Sequence, residues 1–167
     1  MAIYKIYNGP FPTTAAQAGV TTGTAIKTLL QVKCVTVTMK PIAWGISFDG
    51  AAAAAGIQAE LIETGTVFAT VTASVAADIL AWDAEALAQA STTFFSVGTA
   101  ATGYTASAEG TITATRVFDS QFIQPTGERA WEFSLGRSPT VSAVSSLRIR
   151  VKAQAAQLAV AWVLIEV

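Results

Sequence analysis

Histidine is absent from the 167-residue sequence, and cysteine occurs once, at Cys34. The lack of histidine removes the commonest general base, the Ser-His-Asp triad and every metal site that uses imidazole ligands. One cysteine permits neither an internal disulfide nor a zinc cluster, and the apolar run around Cys34 predicts a small core residue. Neither a glycine-rich phosphate-binding fingerprint nor a calcium loop occurs. We therefore expect no enzymatic activity, no cofactor and no metal.

Charged residues are scarce as well, at 13% of the chain against about 25% in ordinary globular domains. The net charge of −1 argues against nucleic acid as a partner, because binding to phosphates needs clusters of Lys and Arg. The sequence comes closest to such a cluster at Arg148, Arg150 and Lys152. We expect these three residues to form the solvated face of a strand. A surface so poor in charge favours association. We expect other subunits to cover much of it, and the alternative is a bland surface of Ala and Thr.

Long hydrophobic runs are missing. The longest, Leu158–Ile165, is far shorter than the roughly 18 residues of a membrane-spanning helix. Met1–Asn8 lacks the apolar region of a signal peptide. The sequence therefore predicts synthesis in a cytoplasm and no membrane partner.

Acidic residues remain as candidates for chemistry, because glycoside cleavage needs two carboxylates across a groove. On a strand, the spacing of Glu60 and Glu63 directs them to opposite faces. We expect all of the candidate acids to be solvated or ion-paired: Glu60, Glu63, Asp83, Glu85, Asp119, Glu128 and Glu132.

Alternating apolar and polar residues dominate the chain and predict about eight to ten strands. The alternation changes parity after Cys34, which indicates a β-bulge or a strand that passes from one sheet to another. The strands are not separated by regular helices, so the fold class is all-β, a β-sandwich with a jelly roll as the favoured topology. The predicted strands lie at 3–7, 30–39, 42–48, 57–61, 66–72, 111–118, 130–135, 146–153 and 158–166, the last of them buried on both faces.

The domain organisation is an N-terminal strand and extended arm over residues 1–24, followed by one β-sandwich domain over residues 25–167. Pro10 and Pro12 exclude helix from the arm. Ser74–Ala90 is the one plausible helix, with Ser74 as its cap; the alternative is a long loop over an edge of the sandwich.

Four tryptophans could stack on sugars. Trp44, Trp131 and Trp162 occupy regular strand positions, where core packing is the better explanation. Trp82 lies outside this pattern and is the candidate for an exposed aromatic.

Four segments share the order and spacing of a known group of proteins: Trp44–Gly50, Thr102–Thr111, Ser134–Pro139 and Leu147–Val151, the last followed by a small-residue linker and a final apolar strand. Together they resemble small structural proteins of tailed bacteriophages, similar in design to jelly-roll decoration (head cement) proteins. The resemblance covers roughly residues 40 to 167. It implies a virion protein at the capsid surface that binds the major capsid protein as a homo-oligomer, with a homotrimer expected.

Residues suited to such contacts can be named. Tyr4, Tyr7 and Phe11 could anchor the arm on a neighbour, since aromatics are common interface anchors; alternatively, Tyr4 and Tyr7 pack within their own domain. Arg137 could project into a subunit contact, and Trp82 could serve an interface or a sugar. A phage tail or fibre subunit and a carbohydrate-binding jelly roll remain as alternative functions.

Overall fold

The computed structural model describes residues 1–12, 14–112 and 115–167. Two antiparallel six-stranded sheets face each other, and one α-helix, α1, spans Ala84–Leu87. The strands of the described residues are β1 Ile3–Tyr7, β2 Val20–Thr21, β3 Ile26–Lys33, β4 Lys40–Asp49, β5 Ile57–Glu63, β6 Thr70–Ala73, β7 Ile79–Ala81, β8 Gly103–Ala108, β9 Arg116–Ile123, β10 Glu128–Glu132, β11 Ser146–Lys152 and β12 Leu158–Glu166.

The strand order identifies a jelly roll. Sheet 1 runs β10-β4-β12-β1-β7, with β2 added to β12, and sheet 2 runs β6-β8-β3-β11-β5-β9. Eight principal strands remain when β2 and the strands between β5 and β9 (β6, β7 and β8) are left aside. Each connection between consecutive principal strands then crosses from one sheet to the other, except the connection from β5 to its neighbour β9. The predicted β-sandwich and jelly roll are confirmed. Twelve strands exceed the eight to ten expected because β2 and β7 are too short to carry an alternating pattern and β8 does not alternate between buried and exposed residues.

The core lies between the sheets and follows from the period-2 patterns. Tyr4 and Ile6 alternate with outward residues on β1, and Trp44 and Ile46 do so on β4. Leu147, Ile149 and Val151 face them from sheet 2. Burial of this apolar surface is the main favourable contribution to folding.

The parity change after Cys34 marks a passage between sheets. β3 ends at Lys33 in sheet 2, and β4 begins at Lys40 in sheet 1. Cys34 pairs with Phe95 in an isolated bridge. A register shift does occur on β3, but it lies opposite Ile149 and Arg150.

An insertion of residues 64–115 joins β5 to β9 and contains β6, β7, α1 and β8. Thr113 and Ala114 within it lie outside the described residues. β7 extends sheet 1, while β6 and β8 extend sheet 2, so the β5–β9 insertion occupies the same edge of both sheets. The opposite edge is formed by β9 and β10, the last strands of their sheets.

The insertion also covers part of the outer face of sheet 2, and this corrects one prediction. Arg148 was expected on a solvated face, but its side chain is fully buried. Its guanidinium donates to the carbonyls of Val67 and Glu109 and lies 3.5 Å from the Glu109 carboxylate. Gln31, its partner in register, is also buried and bonds the backbone of Ala69. The strand pattern could not reveal this layer, because it comes from a distant part of the chain.

Of the two alternatives for Ser74–Ala90, the loop over an edge of the sandwich is closer to the structure than one continuous helix, and the expectation of at most one short helix is confirmed. This stretch is a single 3₁₀ turn, the edge strand β7 and the one-turn helix α1. Its N-cap is Asp83, whose carboxylate accepts a bond from the Ala86 amide at 2.7 Å. Pairing of β7 with β1 satisfies backbone groups that a continuous helix would have used internally.

Several predicted strands differ from those observed. The segment predicted at 30–39 is a strand only as far as Lys33, and the segment predicted at 66–72 is a strand only from Thr70. The segment predicted at 111–118 begins as a strand only at Arg116, and two of its residues lie outside the described ranges. The segment at 130–135 ends at Glu132, since Leu135 lies in a turn. β12 has one buried and one half-buried face, because its outer side is only partly covered.

The N-terminal segment is tied to its own domain. β1 pairs with β12 on one side and with β7 on the other. The buried Asn8 side chain then donates to the Ala159 carbonyl and accepts from the Ala161 amide. β2 returns to the same strand. Residues 1–7 therefore form part of the sandwich, and the described part of the arm is a loop held at both ends.

Candidate functional site

The outer face of sheet 1 carries a row of large side chains near its centre. Tyr4 and Ile6 point into the core, so Lys5 and Tyr7 point outward. Tyr7 lies opposite Trp162 of β12, and Trp162 lies opposite Gly45 of β4. The sheet itself therefore brings a tyrosine and a tryptophan together on its outer surface.

Lys5 lies at the centre of this group. Its ammonium nitrogen is 4.1 Å from the centre of the Trp162 ring and 5.2 Å from those of Tyr7 and Trp82. Phe11 extends the group, because its ring centre is 4.9 Å from that of Tyr7. All four distances are within the range of cation–π or aromatic contacts. We call Lys5, Tyr7, Phe11, Trp82 and Trp162 the Lys5 aromatic cluster.

The β5–β9 insertion contributes Trp82 and holds it in place. The Trp82 amide donates to the Ile3 carbonyl at 2.8 Å. The next residue, Asp83, accepts from the Ile3 amide at 3.1 Å while it caps α1. Trp82 is thus fixed at the margin of β1, and its side chain remains 58% exposed.

The charge of Lys5 is not neutralised by a carboxylate within ion-pair distance among the described residues. Nearby acids are engaged elsewhere: Glu166 pairs with Lys40 at 3.1 Å, and Glu85 pairs with the Met1 ammonium at 2.8 Å. The cluster therefore offers aromatic faces around one positive charge. Such a surface can bind by stacking and charge, and it holds no pair of groups suited to proton transfer.

Three of the five predicted interface residues meet in this cluster, namely Tyr7, Phe11 and Trp82. Tyr4 does not join them. Its side chain is 1% exposed, stands edge-on to Phe95 at 5.2 Å and donates to the Ala86 carbonyl. Burial, followed by the charge of Asp83, raises the pKa of Tyr4. Of the two roles left open for Tyr4, packing within its own domain is the one observed.

Arg137 lies away from the cluster, after a tight turn. Its amide donates to the Ser134 carbonyl at 2.9 Å, and Gly136 has a positive φ of 76°. A positive φ at the third position is the requirement of a type II turn, which explains the glycine. Arg137 is exposed, as the sequence indicated.

Lys5 and Trp162 were missed by sequence reasoning. Trp162 was assigned to the core, as was Trp131, but Trp162 is half-buried on the outer face and Trp131 is exposed on the edge strand β10. Trp44 alone of the three is in the core. The alternation around Lys5 was a usable signal, because it placed Lys5 and Tyr7 on one side of β1.

The acids considered for catalysis have structural partners in most cases. Glu63 pairs with Arg116, and Glu60 pairs with Arg150. Asp119 accepts from the Trp44 indole at 3.2 Å and lies 3.7 Å from Arg129. Glu128 and Glu132 are exposed on β10.

No cluster of three or more His, Cys, Asp or Glu side chains that could hold a metal ion occurs within the described ranges. Burial raises the pKa of the Cys34 thiol to about 12, so the side chain is a packed apolar group at neutral pH. None of the helices in the part of the chain that the structure covers is long and apolar enough to cross a membrane.

Comparison of the chain with protein-family models, with curated proteins and with solved structures found no match.

Proposed function

We propose that this chain is a non-enzymatic virion structural protein that decorates and stabilises a phage capsid. It binds the lattice of the major capsid protein as a homo-oligomer, with a homotrimer expected. The resemblance of the segments around Trp44, Gly103, Gly136 and Ile149 supports this proposal, as does the jelly-roll order of the eight principal strands.

The Lys5 aromatic cluster is the observation that carries the proposal. Interfaces concentrate their binding energy in a few aromatic and cationic anchors surrounded by less important contacts. Here Trp82 and Phe11 are exposed while Tyr7 and Trp162 support them from the sheet. A lattice surface that offers carbonyl or carboxylate oxygens beside apolar groups would satisfy both the rings and the Lys5 ammonium.

The scarcity of charge supports the same function. Interface cores are depleted of Asp, Glu and Lys relative to the rest of a protein surface. With 13% charged residues, the chain has large areas that lose little hydration when another subunit covers them. A cement protein needs such contact area and does not need catalytic groups.

The test is co-sedimentation of the purified protein with undecorated capsid shells. Wild type is expected to saturate at a fixed ratio, and Trp82→Ala or Lys5→Met should weaken binding by about tenfold or more, as for an interface anchor worth over 1.4 kcal/mol. Leu87→Ala, which changes an exposed side chain of α1, is the matched control and should bind like wild type. Wild-type protein that ignores the shells would refute the proposal.

Carbohydrate binding is the second candidate function, and the exposure of Trp82 favours it. The Trp82 indole, in a side chain that is 58% exposed, could stack on the apolar face of a sugar ring. Titration of the tryptophan fluorescence with a set of oligosaccharides tests this. A saturable change that Trp82→Ala abolishes, together with no binding to shells, would establish the carbohydrate function in place of the capsid function.

A further inference from the structure

One row of residues across the outer face of sheet 1 carries a carboxylate at one end and an ammonium group at the other. Glu132 of β10 lies opposite Ala43 of β4, and Ala43 lies opposite Leu164 of β12. Leu164 in turn lies opposite Lys5 of β1. Residues directly opposite each other share a face of a sheet, so all four side chains point outward.

The two charges lie at equal distances from the middle of this face. The strand order β10-β4-β12-β1 places the boundary between β4 and β12 midway between Glu132 and Lys5. Three strand spacings separate the two residues, which is about 14 Å. Neither residue forms an ion pair among residues 1–12, 14–112 and 115–167. The face therefore has a basic and an acidic pole that mirror each other across its middle.

The two halves of the face also differ in the size of their side chains. Large outward side chains lie on β12 and β1: Leu164, Trp162 and Tyr7. The same rows continue on β4 and β10 with small residues: Ala43, Gly45 and Ala130. The Trp162 ring leans over Gly45 and fills the middle of the face. A raised half that carries Lys5 thus lies beside a shallow half that carries Glu132.

We propose that this face packs against the same face of a second copy, about a two-fold axis that runs parallel to the strands between β4 and β12. The rotation exchanges the positions of β1 and β10. Lys5 of each copy therefore meets Glu132 of the other, and the raised half of each copy meets the shallow half of the other. An isologous contact requires one self-complementary patch of this kind. Sheets commonly pack face to face, with strand directions within about 30° of each other.

The dimer covers the Lys5 aromatic cluster, which the proposed function places on the capsid lattice. One cluster cannot contact a lattice and a second copy at the same time, so the dimer must dissociate before the cluster meets a shell. Self-association then lowers the apparent affinity for shells by the fraction of protein that remains free. This competition rests on the proposed function, whereas the dimer itself does not.

Sedimentation velocity and light scattering over a range of concentrations test the dimer. Wild type should show an equilibrium of monomer and dimer. Lys5→Glu and Glu132→Lys should each weaken the dimer by about tenfold or more, because each places like charges opposite each other. Lys152→Glu, at an exposed position on the outer face of sheet 2, is the matched control and should leave the equilibrium unchanged. A wild type that stays monomeric at high concentration, or that forms only a trimer, would overturn the inference.

A mixture of the two charge-reversal variants tests the two-fold pairing. In a mixed dimer of Lys5→Glu with Glu132→Lys, the two substituted residues face each other with opposite charges. The native Lys5 and Glu132 face each other at the other end. We therefore expect two variants that are monomeric alone to form a dimer when mixed in equal amounts. Urea unfolding shows that each variant is folded, and folded variants that do not dimerise on mixing would refute the pairing.

Co-sedimentation with shells separates the dimer from the proposed function. Glu132 lies outside the cluster, so Glu132→Lys should bind shells at least as tightly as wild type, and weaker binding would refute the competition. A wild type that dimerises but ignores shells would leave the dimer standing and remove the capsid function. A wild type that binds shells but never dimerises would leave the capsid function standing and remove the inference.

Discussion

Trp162 occupies the space above Gly45, its neighbour in register across β12 and β4. A β-carbon built on Gly45 would lie 2.6 Å from the indole ring, far inside van der Waals contact. Glycine at this position therefore makes room for the ring that contacts the Lys5 ammonium. The arrangement of aromatic rings on the outer face of sheet 1 therefore requires a glycine at residue 45.

Gly45→Ala should displace Trp162 and disrupt the Lys5 aromatic cluster. Overpacking of this kind costs about 1–3 kcal/mol. We expect a lower free energy of unfolding, a red shift of the tryptophan emission and weaker co-sedimentation with shells. Gly9→Ala is the control, because no atom lies within 4 Å of a β-carbon there. An unchanged emission spectrum in Gly45→Ala would contradict the contact.

Arg148→Met should destabilise the protein strongly. Burial lowers the pKa of Arg148 to about 10, with Glu109 opposing the shift, so the group is still a buried cation at neutral pH. Its removal leaves the Glu109 carbonyl without its donor and the Val67 carbonyl with only the Thr64 hydroxyl, which we expect to cost about 2–4 kcal/mol. Urea unfolding measures this loss. Lys152→Met on the same strand is exposed and should change the free energy of unfolding by about 0.5 kcal/mol or less.

Asn8→Ala should release the start of the N-terminal loop. The variant lacks the side chain that bonds the Ala159 carbonyl and the Ala161 amide, and both backbone groups would remain buried without that partner. The expected decrease in the free energy of unfolding is about 2–3 kcal/mol, with faster hydrogen exchange at the Ala161 amide. Gln124→Ala, at an exposed position, serves as the comparison. Slow exchange at Ala161 in the variant would show that the loop does not depend on Asn8.

Cys34 should make stability fall at alkaline pH. Burial raises the pKa of its thiol to about 12 in the folded protein, against 9.0 for a fully solvated thiol. The pKa of the thiol is higher in the folded protein than in the unfolded chain. The stabilisation that the neutral, buried thiol provides is therefore complete below pH 9 and is lost as the pH rises from 9 to 12. The loss at pH 10 is about 1 kcal/mol.

The measurement for Cys34 is the difference in free energy of unfolding between pH 8 and pH 10. Cys34→Ala should show a smaller decrease than wild type by about 1 kcal/mol. The cavity left by the substitution lowers stability at both pH values and cancels in this difference. Equal decreases in the two proteins would show that the thiol titrates in the folded state as it does in the unfolded chain.

Point variants are preferable to truncation for testing the N-terminal segment. The aromatic residues there were expected to belong to an arm that could reach a neighbour, yet β1 lies between β12 and β7. Deletion of this strand would expose the inward faces of Tyr4 and Ile6 and leave β12 without its neighbour. Loss of binding in such a truncation would therefore report unfolding and could not identify an interface.

The sequence by itself determined the class of the fold, because alternation with period 2 survives any arrangement of the sheets. It also limited the chemistry, since a chain without histidine and with one cysteine cannot assemble many kinds of site. Tyr7, Phe11 and Trp82 could be recognised as interface candidates from residue type and from their positions at breaks in the pattern.

Only the tertiary structure decided which faces are covered. Alternation assigns Trp162 and Arg148 to sides of their strands but does not reveal what packs on those sides. The β5–β9 insertion buries Arg148 and delivers Trp82 to Lys5 from a distant part of the chain. The cluster thus joins β1, β12 and the insertion through contacts between residues far apart in sequence, and local patterns carry no information about such contacts.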